Sequence, residues 1–374
     1  MAAVIKIGTI ILNIIYFFFK FLPVKKRILF ISRQSNEVSF EFKMIAREMK
    51  KRDPDIKIKY LCHTLDGGIK SSLKDKIRYA FHMLTQMYYL ATSKVAVLDT
   101  YCMTVSLLKH KKSLKVIQIW HSMGTMKKFG YQILDQGEGS NSKIAKAMKM
   151  HKNYDYIFCA GEGYLHTLAE GFNYDDSYLR IYPLPRVDLL QSKKYKERKR
   201  KEIFEKYPEL KEKPVIVYVP TFRKDETRFE KACEKMMEVF DDHYNLVVKL
   251  HPLSKIKIKG DHVFTCDEFS SFDMLFAADY VISDYSCIIY EAAILDLPIH
   301  FYNFDLDEYE GVRGLNIDYM KEMPGTISGD FSKIMDAIRN DDYDFDKLHE
   351  LKNKYIKPTK HATKDIADFI ETLL

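Results

Sequence analysis

Lys115-Val116-Ile117-Gln118-Ile119-Trp120-His121-Ser122-Met123-Gly124-Thr125-Met126-Lys127-Lys128-Phe129-Gly130 starts as a short apolar, β-branched run and ends as a polar loop with Gly and Lys. Its first part, Lys115 to Trp120, reads as a strand. Similar runs flank it at Arg27 to Ser32, Ile56 to Leu61, Lys94 to Asp99 and Tyr156 to Ala160, each followed by a longer stretch with helical spacing. That alternation is the pattern of a parallel α/β sheet. A second series opens at Pro214 with Val215 to Val219, Leu246 to Leu250, His262 to Thr265, Tyr280 to Ser283 and Ile299 to Tyr302. Two Rossmann-like halves follow.

The length agrees: 374 residues make about two domains at roughly 150 residues each. With 47% hydrophobic and 30% charged residues, and only 11 Pro and 15 Gly, the chain is neither disordered nor collagen-like, and no segment repeats at a fixed period. The formal charge of +7 suits an anionic membrane, a phosphorylated substrate or a nucleic acid without choosing among them. Six cysteines without a C-x-x-C pair argue against structural zinc and a disulfide framework, and for a reducing compartment.

Val4 to Leu22 is mostly apolar but interrupted by Lys6, Asn13 and Lys20, and is followed by Pro23 and the basic Lys25, Lys26 and Arg27. Without a small-residue cleavage site it is not expected to be a cleaved signal peptide. An interfacial helix is favoured over a helix packed on the fold or a true span. Lys193 to Lys201 carries seven basic residues in nine, read as a solvated helix face opening the second half, with contact to anionic lipid or polymer as the alternative. Apolar spacing from Thr363 predicts a closing helix.

Neither a G-x-G-x-x-G nor a P-loop is present, so a nucleotide must be held by other strand-end loops. His121 ends one strand beside Lys127 and Lys128. Val219-Pro220 empties another into Thr221 and Arg223, common donors to phosphate oxygen. Lys249-Leu250-His251-Pro252 ends a third in a histidine. Ile282-Ser283-Asp284-Tyr285-Ser286-Cys287 opens a helix that Ser283, Asp284 or Ser286 could cap, with Glu291 further along it. The fifth strand runs into Asn303, Asp305, Tyr309, Arg313 and Gly314. Any one of these is weak alone; their order after successive strands is specific.

Taken together, WHSMGTMKKFG, PLPRVD at Pro183 to Asp188, YVPTFR, KLHP, ISDYSCIIYEAAILDLP and HFYNFDLDEYEGVRG resemble the CDP-glycerol glycerophosphotransferases of teichoic-acid synthesis, over roughly residues 25 to 320. The resemblance implies a GT-B fold, two Rossmann-like domains facing across a cleft with the nucleotide held mainly by the second. It implies a membrane-associating helix over 1–24, an acceptor-side domain over 25–190 and a CDP-donor domain over 191–374, whose final helix can cross back. His121 matches the family's expected general base and His251 its second histidine, at the donor phosphates. Thr221, Arg223, Ser283 and Ser286 match pyrophosphate contacts, Glu291 a ribose contact, and Asp284 and Arg313 group with them on the donor side. Lys127 and Lys128 fall on the acceptor side. Ser122 stands where a small Gly or Ala is usual and Cys287 where a second Ser is common, which touches substrate preference more than reaction type.

The implied reaction transfers a glycerol or ribitol phosphate from CDP-glycerol or CDP-ribitol to a polyprenyl-diphosphate-linked acceptor, releasing CMP at the cytoplasmic face of an anionic membrane. No metal site is expected and no cofactor is required; Mg²⁺ is compatible with the pattern but not implied by it. A GT-B nucleotide-sugar glycosyltransferase stays open, to be distinguished by its glycoside product. A non-catalytic basic adaptor for membrane or nucleic acid is disfavoured, because the aromatics fall mostly inside apolar strands and helices. Nucleic acid is not an expected partner, and the residues leave the oligomeric state open.

Overall fold

The structure, a computed structural model, describes residues 2–64 and 71–374. It comprises two compact units. The first holds Met1–Ser122, Phe129–Arg186 and His361–Leu374; the second holds Met123–Lys128 and Val187–Lys360. The chain passes to the second unit after Arg186, where the sequence suggests 190, and the final segment, His361–Leu374, lies in the first unit.

Each unit is built on one six-stranded sheet whose neighbours all run parallel. In the first unit β1 (Arg27–Ser32), β2 (Lys57–Cys62), β3 (Val95–Leu98), β4 (Lys115–Gln118), β5 (Tyr156–Cys159) and β6 (Leu179–Ile181) lie in the order β2-β1-β3-β4-β5-β6. In the second, β7 (Val215–Tyr218), β8 (Asn245–Val248), β9 (Val263–Phe264), β10 (Tyr280–Ser283), β11 (Ile299–Tyr302) and β12 (Ile327–Ser328) lie in the order β12-β11-β10-β7-β8-β9. Counted from β7, this is the 3-2-1-4-5-6 order of a doubly wound nucleotide-binding sheet, whose order reverses between β7 and β10. The corresponding reversal in the first unit falls between β1 and β3. Ligands of such sheets bind at the strand carboxyl ends beside the reversal, which fixes where to look in each unit.

Strands covered on both faces read as continuous apolar runs, and β1, β3, β7, β8 and β11 are buried along their whole length. The sequence misses β6 and β12 because they are two edge strands of three and two residues, with too few side chains to show a period.

The closing helix Ala362–Glu371 turns Ala362, Ile366, Ala367 and Ile370 into the interior. It is clamped to the helix Phe40–Arg52 by Arg52, which pairs with Asp368 and reaches Glu371 at 3.2 Å. The basic run lies in the helix Lys193–Lys206, capped by Ser192, and most of its charges are matched along the helix. Lys193–Glu197, Arg198–Glu202 and Lys201–Glu205 are i,i+4 pairs and Lys199–Glu202 an i,i+3 pair, the arrangement of a solvated face.

The first helix, Ala2–Phe19, is docked through its polar residues. Asn13 donates to the Leu107 carbonyl at 3.0 Å and accepts from the Lys109 N–H at 2.9 Å. The Tyr16 hydroxyl, on a side chain only 1% exposed, meets His110 Nδ1 at 2.9 Å. Ile7, Ile10, Ile11, Ile14, Phe17 and Phe18 point the other way and are exposed. This inverts the usual amphipathic arrangement. Among the described residues no helix is long and apolar enough to cross a membrane.

Candidate functional sites at the strand ends

In the first unit, β4 ends at Gln118, which is fully buried. Its amide donates to the Thr100 carbonyl at 3.1 Å, and its Oε1 accepts the Trp120 N–H at 2.9 Å. Trp120 has φ of 59°, in the left-handed region that costs a bulky residue about 1–3 kcal/mol. The bend is held by Gln118 and by ring packing of Trp120 on Phe129 and Phe172, both at 5.1 Å. It turns the next residue, His121, away from the strand line with its ring 4.0 Å from the indole. Sequence reading passes over Gln118 and Trp120; a Gln ending an apolar strand just before a His was the available signal.

His121 Nδ1 lies 3.0 Å from the Asp99 carbonyl oxygen. A carbonyl only accepts, so Nδ1 carries the proton and, in the neutral ring, Nε2 carries the lone pair. The residue keeps an exposed face, yet desolvation holds its pKa below 6.5. The bond to Asp99 opposes that shift, and the positive charge of Arg186 adds to it. Arg186, from the PLPRVD segment, donates to the His121 carbonyl at 3.2 Å and is anchored on buried Glu41, with Nε–Oε1 at 2.8 Å. The geometry is that of a neutral imidazole able to accept a proton near pH 7.

In the second unit the reversal of strand order is closed by side chains. The Ser283 hydroxyl, fully buried at the end of β10, donates to the Val219 carbonyl after β7 at 2.8 Å. The Thr221 N–H donates to both oxygens of Asp284 at 2.9 and 3.0 Å. Arg223 makes a two-pronged pair with Asp305 after β11, both bonds 3.0 Å, and also donates to Asp284 and to the Thr221 carbonyl. The guanidinium sits among Phe304, Tyr285, Tyr309 and Phe229, 5.1 to 5.8 Å from their ring centres.

These contacts correct several expectations. Ser283 and Asp284 are interior tie points, so neither presents an open phosphate contact, whereas Arg223 is engaged by two carboxylates and also lines an open cavity with Phe222 and Lys224. Glu291 is 3% exposed, within the helix Ile288–Ile294, rather than on an open wall. That helix is capped at Cys287 without a side-chain bond, so Ser283, Asp284 and Ser286 do not cap it; Ser286 is half-buried. Thr221 remains half-buried with its hydroxyl 3.4 Å from Lys127 Nζ.

Lys127 and Lys128 lie in Met123–Lys128, part of the second unit, whereas His121 lies in the first. The Asn316 N–H donates to the Met126 carbonyl at 2.8 Å, Lys127 bridges Leu315 in antiparallel sense, and the Lys128 N–H donates to the Gly314 carbonyl at 3.1 Å. Gly314, with φ of 73°, permits this turn, and Arg313 Nε reaches the Lys128 carbonyl at 3.4 Å. Arg313 thereby acts on the loop backbone. Gly124 is required for packing, since a Cβ there would lie 2.1 Å from the Tyr290 ring.

His251 is exposed after β8, with Phe222 5.0 Å from its ring. Its Nδ1 accepts the Leu253 N–H at 3.2 Å. A backbone amide only donates, so here Nδ1 holds the lone pair and Nε2–H points outward as a donor. An open cavity of about 510 Å³ adjoins this loop, lined among others by Phe222, Lys224, Leu253 and Lys255. The metal-capable group found among the described residues is Asp241, Asp242 and His243, before β8 at the amino end of the strand, where Asp241 already pairs with Arg339 at 2.7 Å.

The chain matches the family described as CDP-Glycerol:Poly(glycerophosphate) glycerophosphotransferase over residues 14–371. It is 29% identical to a teichoic acid ribitol-phosphate primase of Bacillus spizizenii W23, covering 94% of this chain and 93% of that protein. It is 28% identical to a teichoic acid glycerol-phosphate primase of Bacillus subtilis 168, covering 97% and 96%. Its fold is similar to that of the wall teichoic acid polymerase TagF, with a TM-score of 0.75 at 19% identity, over 99% of this chain and 96% of that one.

Arg223→Ala would strand Asp284 and Asp305 without their shared cation, and breaking a buried pair from one side costs about 3–5 kcal/mol. Urea unfolding of the variant should show a loss of that order; a loss below about 1 kcal/mol would mean that the pair does not hold the loops.

Proposed function

Because the chain belongs to the CDP-glycerol:poly(glycerophosphate) glycerophosphotransferase family, we propose that it moves glycerol phosphate or ribitol phosphate from a CDP-activated donor to a hydroxyl of a lipid-linked teichoic-acid or capsule-type acceptor, releasing CMP. The two primases it resembles carry these two polyols in their names, and both match it nearly end to end. The observation that carries the reading is the opposite protonation of the two strand-end histidines: a lone pair on Nε2 of His121 and a proton on Nε2 of His251.

In this mechanism Nε2 of His121 takes the proton of the acceptor hydroxyl, whose oxygen attacks the phosphorus bearing the polyol. The bond from that phosphorus to the CMP oxygen breaks, and CMP leaves with the electron pair. Nε2–H of His251 donates to phosphate oxygen as charge builds on the leaving group. Phosphoryl transfer depends on positioning and charge neutralisation, and a placed general base contributes about 100-fold to 10,000-fold. His121 belongs to the first unit and is proposed to serve the acceptor; His251 belongs to the second and is proposed to serve the donor.

The acceptor is proposed to be reached at the cytoplasmic face of the membrane. The helix Ala2–Phe19 turns an apolar face outward, and Lys20, Lys109 and Lys149 border the groove beside it. An apolar face outside and basic residues at its margin suit an anionic bilayer surface.

Purified enzyme offered CDP-glycerol and CDP-ribitol separately should release CMP with at least one of them, and His121→Ala should abolish release while donor binding persists. Because desolvation lowers the His121 pKa, the base stays neutral through pH 7. The acid limb of kcat/KM should therefore fall below pH 6.5; a limb above it, or near-normal turnover by folded His121→Ala, would reject the assignment. For the membrane, the triple substitution Ile10→Ser, Ile14→Ser and Phe18→Ser removes exposed side chains and should leave stability nearly unchanged. Flotation with anionic liposomes should drop at least tenfold, given about 1.5–3 kcal/mol for each fully buried side chain. Undiminished flotation would assign the membrane contact elsewhere.

A further inference from the structure

The sequence reading groups Lys127 with His121, but its backbone is stitched to Gly314–Asn316 inside the second unit, and its Nζ lies 3.4 Å from the Thr221 hydroxyl. Thr221 follows β7 at the reversal of strand order, where doubly wound sheets receive the phosphates of a nucleotide. The carboxylate nearest in kind, Asp284, has its oxygens taken by Arg223 and the Thr221 N–H. Among the described residues no carboxylate forms an ion pair with Lys127. Burial lowers its pKa and outweighs the opposing pull of the Asp284 charge, so the ammonium has lost water with only partial compensation.

We propose that Lys127 binds the phosphate oxygens of the CDP-activated donor, a nucleoside diphosphate ester, instead of serving the acceptor. The proposal rests on the phosphotransferase reading above. Its structural logic is a division of labour between two cations. Arg223 is held by Asp284 and Asp305 and shapes the loops, while Lys127 has no such carboxylate pair among the described residues. The Thr221 hydroxyl, within its reach, is placed to act on the same anion. Two backbone bonds that flank it, from the Lys128 N–H to Gly314 and from the Asn316 N–H to Met126, hold Lys127 opposite Leu315, so little order must be gained on binding.

Calorimetric titration of the full chain with cytidine, CMP and CDP-glycerol tests this. Lys127→Ala should lose about tenfold or more in affinity for CDP-glycerol, less for CMP and almost nothing for cytidine. Lys127→Arg should recover part of the loss, since it keeps the charge. Unchanged CDP-glycerol affinity in Lys127→Ala, an equal loss for cytidine, or an effect confined to the acceptor KM would each overturn the proposal. A wild-type chain that binds no CDP-glycerol would overturn the phosphotransferase reading, and the proposal with it.

Discussion

Arg223 ties together the ends of three strands. Through its own chain it follows β7, through Asp284 it holds the end of β10, and through Asp305 the end of β11. A charge taken this far out of water is stable only with its partners present, so the three loops are fixed as one body or not at all. Ser283 and the Thr221 N–H close the same junction with neutral and charge-assisted bonds. The result is a rigid floor at the strand-order reversal of the second unit, with Thr221 and Lys127 on it.

Against that rigidity, the two histidines are set by single backbone groups. A carbonyl at Asp99 dictates one tautomer and an amide at Leu253 dictates the other. No buried carboxylate partner is needed, which matters for His121: a carboxylate on Nδ1 would favour the imidazolium and raise its pKa, whereas a neutral carbonyl fixes the tautomer at less cost in basicity. Gln118 and the left-handed Trp120 supply the direction of the ring, so the strain there belongs to aiming the base.

Local patterns carried the reading a long way. The apolar runs located the long strands, and the residues just past them were where the polar chemistry lies, because a parallel sheet gathers its carboxyl ends at one edge. What escaped was long-range. Arg223 at its strand end gives no hint that Asp284 and Asp305, 61 and 82 residues away, hold its guanidinium. Lys127 is six residues from His121 but belongs to the other unit, a fact set by its pairing with Leu315 and by the Gly124–Tyr290 packing. The docking of the first helix through Asn13 and Tyr16 was equally hidden, since both look like interruptions of an apolar helix.

The central claim is that His121 offers a lone pair from Nε2 and His251 a proton from Nε2, and ¹⁵N NMR of the imidazoles on the full chain reads this directly. The account predicts His121 protonated on Nδ1 and titrating below pH 6.5, with His251 protonated on Nε2 in its neutral form. A neutral His121 carrying its proton on Nε2 would have no base to offer there, and would contradict the mechanism whatever the product assays showed.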